Sequence, residues 1–204
     1  DFGARMRYAY DCLGSLTLEE RTIEEGIVQK VRYGYNKNGW RISRTETIQG
    51  NGEKKLAVTR YGYDENGNRN WIRTPKGFEI RRSFDADDRL TEERILDRKN
   101  GIDRRTCYTY DAAGNILSVS VYGAGPEEET QKENLKVTYQ YDLKDRITHR
   151  MNPGGAVTRY LYDQNDWLIK EISPYGYDRE SDSGAGTAYR YDSRGNLIRV
   201  TNGL

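Results

Sequence analysis

One histidine, two cysteines, three tryptophans and a recurring aspartate are the residues of this sequence with the means to do chemistry. A Ser/His/Asp or Cys/His centre would have to be built on His149. It lies in the polar run Ile147-Thr148-His149-Arg150 with no nucleophile motif such as Gly-x-Ser-x-Gly beside it, and reads as an ordinary strand residue. Cys12 and Cys107 stand 95 residues apart, neither a metal knuckle nor a dense disulfide framework, and read as two unpaired thiols. Zinc needs several nitrogen or sulfur ligands, which the chain barely supplies. The run Asp64-Glu65-Asn66-Gly67-Asn68 lacks the alternating ligands and terminal bidentate Glu of a calcium loop. No catalytic residue, cofactor or metal is therefore expected. Trp40, Trp71 and Trp167 recur just after turns and could stack on sugar faces as a ladder; alternatively they stand in for the Leu and Ile of neighbouring segments.

The element that positions all of these is a repeat. Tyr-x-Tyr followed by Asp or Asn recurs as Tyr8-Tyr10-Asp11, Tyr33-Tyr35-Asn36, Tyr61-Tyr63-Asp64, Tyr108-Tyr110-Asp111, Tyr139-Tyr141-Asp142, Tyr160-Tyr162-Asp163 and Tyr189-Tyr191-Asp192, with a degenerate copy at Phe84-Asp85. The second aromatics are 21 to 31 residues apart. Three residues after the acidic or amide position comes Gly14, Gly39, Gly67, Gly114 or Gly195, or else Asp88, Asp145 or Asp166. Gly accepts φ > 0 without a Cβ clash and Asp is among the few others that tolerate it, so Asp-x-x-Gly predicts a tight turn. An apolar residue then reappears, and each unit reads as strand, turn, strand. Alternation as in Val137-Tyr139-Tyr141 and Thr158-Tyr160-Tyr162 puts both rings on one face, while Arg60, Lys136, Thr138, Gln140, Arg159 and Arg190 line the other. A lone hairpin is marginal in water, but units side by side would bury a tyrosine seam.

The sequence thus predicts an all-β protein: tandem hairpins in a long, curved, coiling antiparallel sheet, spanning 1–204 as one array. Its units centre on Tyr10, Tyr35, Tyr63, Phe84, Tyr110, Tyr141, Tyr162 and Tyr191. Length varies at the distal turns. Two carry breakers, Thr74-Pro75-Lys76-Gly77 and Asn152-Pro153-Gly154-Gly155, and a third Gly50-Asn51-Gly52. Long loops are expected over 123–134, with the acidic run Glu127-Glu128-Glu129, and over 173–186, where Tyr175-Gly176-Tyr177-Asp178 falls too near its predecessor for a full unit.

Composition narrows the classes. Hydrophobic residues make up 35% and charged residues 32%, and 17 Tyr stand against 3 Phe and 3 Trp, so burial must come from phenol rings with a polar edge. Lys and Arg number 33 against 32 Asp and Glu, which lacks the basic excess of a nucleic-acid binder. No run approaches the roughly 20 apolar residues of a membrane span, so no membrane insertion by this segment is expected. The chain starts at Asp1 in mid-pattern, as an excerpt of a longer protein would.

The unit Tyr-x-Tyr-Asp-x-x-Gly-(Asn/Arg)-(Leu/Ile), as in Tyr108-Thr109-Tyr110-Asp111-Ala112-Ala113-Gly114-Asn115-Ile116 and Tyr189-Arg190-Tyr191-Asp192-Ser193-Arg194-Gly195-Asn196-Leu197, resembles the YD repeat of the RHS (rearrangement hot spot) family. Departures are Asn36 for Asp, Arg82 and Phe84 for the tyrosine pair, and Asp for Gly at three turns. The resemblance implies a hairpin ribbon spiralling into a hollow shell. In bacterial Rhs toxins, Tc toxins and cell-wall-associated proteins such a shell encloses a C-terminal toxin domain; in animal teneurins it is an adhesion scaffold. Complete shells take many more repeats than eight, so this chain is expected to be an arc of wall. The family's self-cleavage signature, Asp-Pro-x-Gly, has no counterpart here, because the chain contains no Asp-Pro pair.

Three functional readings follow. The first is a non-enzymatic shell segment in a secreted or surface protein, its partners being further repeats and a C-terminal toxin or effector cargo. The second is a carbohydrate or cell-wall binding scaffold that meets a surface glycan. The third is a glycosidase built on paired carboxylates, although most acidic residues sit in turns where backbone capping accounts for them.

Overall fold

The computed structural model describes residues 5–24, 27–50, 53–124 and 132–203. It is all-β. The strands are β1 (Met6–Tyr10), β2 (Leu16–Glu24), β3 (Ile27–Tyr35), β4 (Arg41–Gly50), β5 (Glu53–Gly62), β6 (Trp71–Arg73), β7 (Glu79–Phe84), β8 (Leu90–Asp97) and β9 (Ile102–Tyr110). They continue as β10 (Ile116–Ala124), β11 (Lys132–Tyr141), β12 (Ile147–Met151), β13 (Val157–Tyr162), β14 (Leu168–Ile172), β15 (Tyr177–Asp178), β16 (Ser183–Gly184), β17 (Thr187–Tyr191) and β18 (Leu197–Asn202). Sixteen form one antiparallel sheet in strict chain order, and β15 and β16 pair as a separate small hairpin. The chain divides into two compact units, one of Asp1–Arg105 with Ala124–Thr130 and the other of Thr106–Gly123 with Gln131–Leu204.

The hairpins arise from one local device. In the first, the Asp11 N–H donates to the Ser15 carbonyl (2.9 Å) and the Gly14 N–H to the Asp11 carbonyl (3.1 Å). Asp11 Oδ1 accepts the N–H groups of Leu13 and Ser15 at 2.9 and 2.8 Å. This is a type I turn closed by a left-handed residue, and the ladder slips by one residue beside it, between Ala9 and Tyr10. The same backbone pattern recurs at Asn36, Asp64, Asp85, Asp111, Asp142, Asp163 and Asp192. The left-handed residue is in each case the predicted one, whether Gly or Asp, with Asp88, Asp145 and Asp166 at φ of 60°, 60° and 67°. The degenerate copy obeys the rule too: β7 pairs β8 with Phe84 opposite Leu90.

The distal turns reuse the device. Thr74 and Asn152 replace the aspartate, Pro75 and Pro153 take the next position, and Gly77 (φ 90°) and Gly155 (φ 78°) close the turn. Residues 51–52 and the acidic run Glu127-Glu128-Glu129 lie outside the described residues. The expected loop 123–134 is shorter than read from its glycines, because β10 and β11 run into it and Gly123 pairs with Lys132. The expected loop 173–186 contains a hairpin, with Tyr177 opposite Gly184.

A sheet presenting both faces to its surroundings has little interior. Val31, Val157 and Ile172 are the buried apolar residues among those described, joined by Thr47, Asp97, Ser120 and Thr158. Thin burial of this kind leaves cohesion to contacts between successive hairpins.

Candidate functional site

The tyrosine pairs point at the preceding repeat. The second tyrosine donates its hydroxyl to a backbone carbonyl six residues after the second tyrosine of the repeat before: Tyr35 to Leu16 (2.7 Å), Tyr63 to Arg41 (2.8 Å), Tyr141 to Ile116 (2.8 Å), Tyr162 to Ile147 (3.0 Å) and Tyr191 to Leu168 (2.9 Å). The first tyrosine of two pairs reaches a carboxylate instead, Tyr33 to Glu19 (3.0 Å) and Tyr189 to Glu171 (3.4 Å). Burial pushes the Tyr141 and Tyr162 phenols above their ordinary range, so they stay neutral donors. Phe84 has no hydroxyl for this latch.

A second row of contacts runs along the turns. Trp40 stacks on Tyr63 with ring centroids 5.3 Å apart and covers Gly67, where a Cβ would come within 2.9 Å of the indole. Trp167 does the same over Tyr191 (5.3 Å) and Gly195 (3.1 Å). Where the left-handed residue is aspartate, its carboxylate receives donors from the previous turn. Asp88 accepts from Asn66 (2.9 Å) and Asn68 (2.6 Å), Asp145 from Asn115 (2.7 Å), and Asp166 from Lys144 (2.7 Å) and Arg146 (2.6 Å). Arg146 also lies over the Tyr162 ring, 4.7 Å from its centre, as the tryptophans lie over theirs.

These contacts set the charge states. The Arg146 guanidinium, with backbone N–H groups of the same turn, holds Asp142 down to about 2. Hydrogen bonds from Asn66 and then Asn68 lower Asp88, and Lys144 lowers Asp166. Backbone N–H donors, led by those of Arg89 and Asn115, lower Asp85 and Asp111. Asp85, Asp88, Asp111, Asp142 and Asp166 thus serve as hydrogen-bond acceptors at the turns.

One cluster stands apart from the repeat. The β15–β16 hairpin brings Asp182 (φ 49°) to His149 of β12, with Nε2 2.8 Å from Oδ1. Tyr177 donates its hydroxyl to the same oxygen (2.9 Å) and Arg159 of β13 donates from Nε (3.2 Å). Hydrogen bonding from His149, then from Tyr177, lowers the Asp182 carboxyl. Arg179 anchors the far side of the hairpin on the Gly155 carbonyl. A cleft of about 200 Å³ opens between hairpin and sheet, lined by Thr138, Gln140, His149, Met151, Tyr177 and Arg179 among others. The Thr148 hydroxyl lies within hydrogen-bond reach of both His149 Nδ1 (3.1 Å) and the Gln140 carbonyl (3.2 Å). His149 is a strand residue, as the sequence indicates, but one engaged in clasping a hairpin. Asp182 was not singled out from sequence, since nothing marks a lone aspartate 33 residues away as its partner.

Of the other candidates, Cys12 is exposed and Cys107 half-buried, and neither is in a disulfide. Trp71 sits within strand β6, opposite Gly62 and Arg81.

Tandem Tyr-x-Tyr-Asp hairpins in a sheet of strict chain order, with five second tyrosines latched to the hairpin before, define a YD-repeat shell protein. The chain belongs to the teneurin YD-shell family, whose model matches residues 3–203. It is 30% identical over 154 residues to the tRNA3(Ser)-specific nuclease WapA of Bacillus spizizenii, covering 71% of this chain and 6% of that protein. It is likewise 30% identical over 148 residues to the tRNA nuclease WapA of Bacillus subtilis, covering 68% of this chain and 6% of the relative. Among solved structures, the TcdB2-TccC3-Cdc42 complex matches over 97% of this chain and 14% of its own, at 14% identity and a TM-score of 0.43.

Proposed function

We propose that this chain is a non-enzymatic length of wall in an RHS-type β-shell, part of a larger secreted or surface protein whose shell encloses and protects a C-terminal toxin or effector domain. The observation that carries the reading is the use of the chemistry-bearing residues. Five second-tyrosine hydroxyls, the left-handed aspartates Asp88, Asp145 and Asp166, and two of the three tryptophans are directed at the neighbouring repeat. A wall needs that contact between units, and a catalytic centre would need the same groups free. The WapA relatives carry nuclease names, and this chain spans only 6% of their length; the reading places such activity in other parts of a parent protein. Mixed-sign charge suits confinement of a cargo better than tight binding of it. Sugar stacking is disfavoured by the packing of Trp40 and Trp167 against a tyrosine and a glycine of the next repeat.

The test is limited proteolysis of the parent protein followed by mass spectrometry. The reading expects a separate C-terminal mass that resists protease while the wall is intact and is lost when the wall is opened. A parent with no such domain, running instead into adhesive modules, would overturn it in favour of a surface scaffold.

A further inference from the structure

Within each unit, successive repeats meet through a matched pair of positions. The first is the residue five places after the second aromatic of one repeat; the second is the left-handed turn residue of the next. The pairs in contact are Trp40 with Gly67, Asn68 with Asp88, Asn115 with Asp145, Arg146 with Asp166, and Trp167 with Gly195. A flat indole faces glycine, and a side-chain N–H donor faces aspartate. Exchanging the types would fail on both sides. A Cβ at position 67 would press on Trp40 at 2.9 Å, and glycine at position 145 would leave an Asn115 N–H without its acceptor. At Ser15 the counterpart is Gly39, and the space over that glycine is open. The match also explains why aspartate is found in a left-handed conformation that costs an L-residue roughly 1–2 kcal/mol: its carboxylate is required by the previous turn.

One such position has no counterpart among the described residues. Asn196 stands five places after Tyr191. Its Nδ2 donates to Asp192 Oδ2 (2.8 Å), just as Asn115 Nδ2 donates to Asp111 Oδ2 (3.1 Å). Asn115 gives its other N–H to Asp145; the other N–H of Asn196, an exposed residue, meets no acceptor among the described residues. Beside it, β18 pairs with β17 and exposes Leu197, Ile198 and Val200. We propose that Asn196 selects, for the place beside β18, a Tyr-x-Tyr hairpin whose left-handed turn residue is aspartate rather than glycine. A second copy of this chain is a poorer fit. Its β1 edge would bring Gly14 to that place. The inference does not depend on what the wall encloses.

The test extends the full chain beyond Leu204 with a second copy of residues 132–156, which keeps the aromatic spacing within the range the chain already uses. The appended copy carries Asp145 or Asp145→Gly, each combined with Asn196 or Asn196→Ser. Amide hydrogen exchange over 197–202 is the readout. With Asn196 present, the aspartate extension is expected to slow exchange about tenfold more than the glycine extension, against the intrinsic turn preference for glycine. Asn196→Ser should erase that difference. Equal protection from both extensions would overturn the selection by Asn196, and protection from neither would overturn the seating of a hairpin beside β18. Concentration-dependent protection of the unextended chain would assign the edge to a second copy and overturn the proposal as well.

Discussion

Tyr10 and Tyr141 occupy the same position in the same motif, and their surroundings differ. Tyr10, in β1, is 62% exposed, and its partner Tyr8 is 47% exposed. Tyr141 is half-buried and latched to Ile116 of the preceding repeat. Gly14 and Gly67 differ in the same way: open space lies over the first, and the Trp40 indole over the second. The motif thus folds its own turn in both places, but burial is supplied by the hairpin before it. Stability in such an array is a sum over neighbours, as in other repeat proteins.

The largest expected effect separates the two tyrosines. Tyr141→Ala should cost about 3 kcal/mol, as truncation of a packed aromatic does, and Tyr10→Ala under about 1 kcal/mol, measured by urea unfolding. A loss below about 0.5 kcal/mol at Tyr141 would remove the seam from the account. The glycines come next. Gly14→Ala carries the left-handed strain alone, about 1 kcal/mol, whereas Gly67→Ala adds displacement of Trp40 and should cost about 1 kcal/mol more. Equal costs would mean that the indole moves aside freely. Removing only the hydroxyl is smaller again: Tyr141→Phe should lose about 1 kcal/mol and Tyr10→Phe nothing measurable.

The smallest effect is on pH dependence. The Asp142 carboxyl, at about 2 in the fold, lies below the ordinary value of roughly 3.9. A depressed carboxyl contributes stability above its unfolded value and loses it as pH falls through the folded one, here between about pH 4 and about pH 2. The melting temperature should fall across that window, and Asp142→Asn should flatten the fall. No change in slope would show that the Arg146 contact is fully screened by solvent.

Much of this was legible in the sequence. The strand, turn, strand unit and every left-handed residue of the repeat turns follow from local chemistry within about seven residues. The contacts between repeats were less visible. Tyr162 reaches a carbonyl 15 residues back and Tyr141 one 25 residues back, because distal turns of unequal length intervene. The pairing of Asn68 with Asp88, or Trp40 with Gly67, is nevertheless written in the chain and emerges once the copies are aligned on their second aromatic. The clasp of His149 by Asp182 leaves no comparable trace, since it belongs to a single hairpin outside the repeat pattern and does not recur among the described residues. The loop readings at 123–134 and 173–186 missed strands for a related reason: glycine-rich composition marks turns but does not say how far a paired partner will extend a ladder.

The claim that neighbours supply burial is tested most directly by giving the exposed repeat a neighbour. One hairpin of the chain's own type, placed before β1, should turn Tyr10→Ala from a substitution costing under about 1 kcal/mol into one costing about 3 kcal/mol, matching Tyr141→Ala in the same chain. A cost at Tyr10 that stayed unchanged with the added hairpin folded would contradict the account.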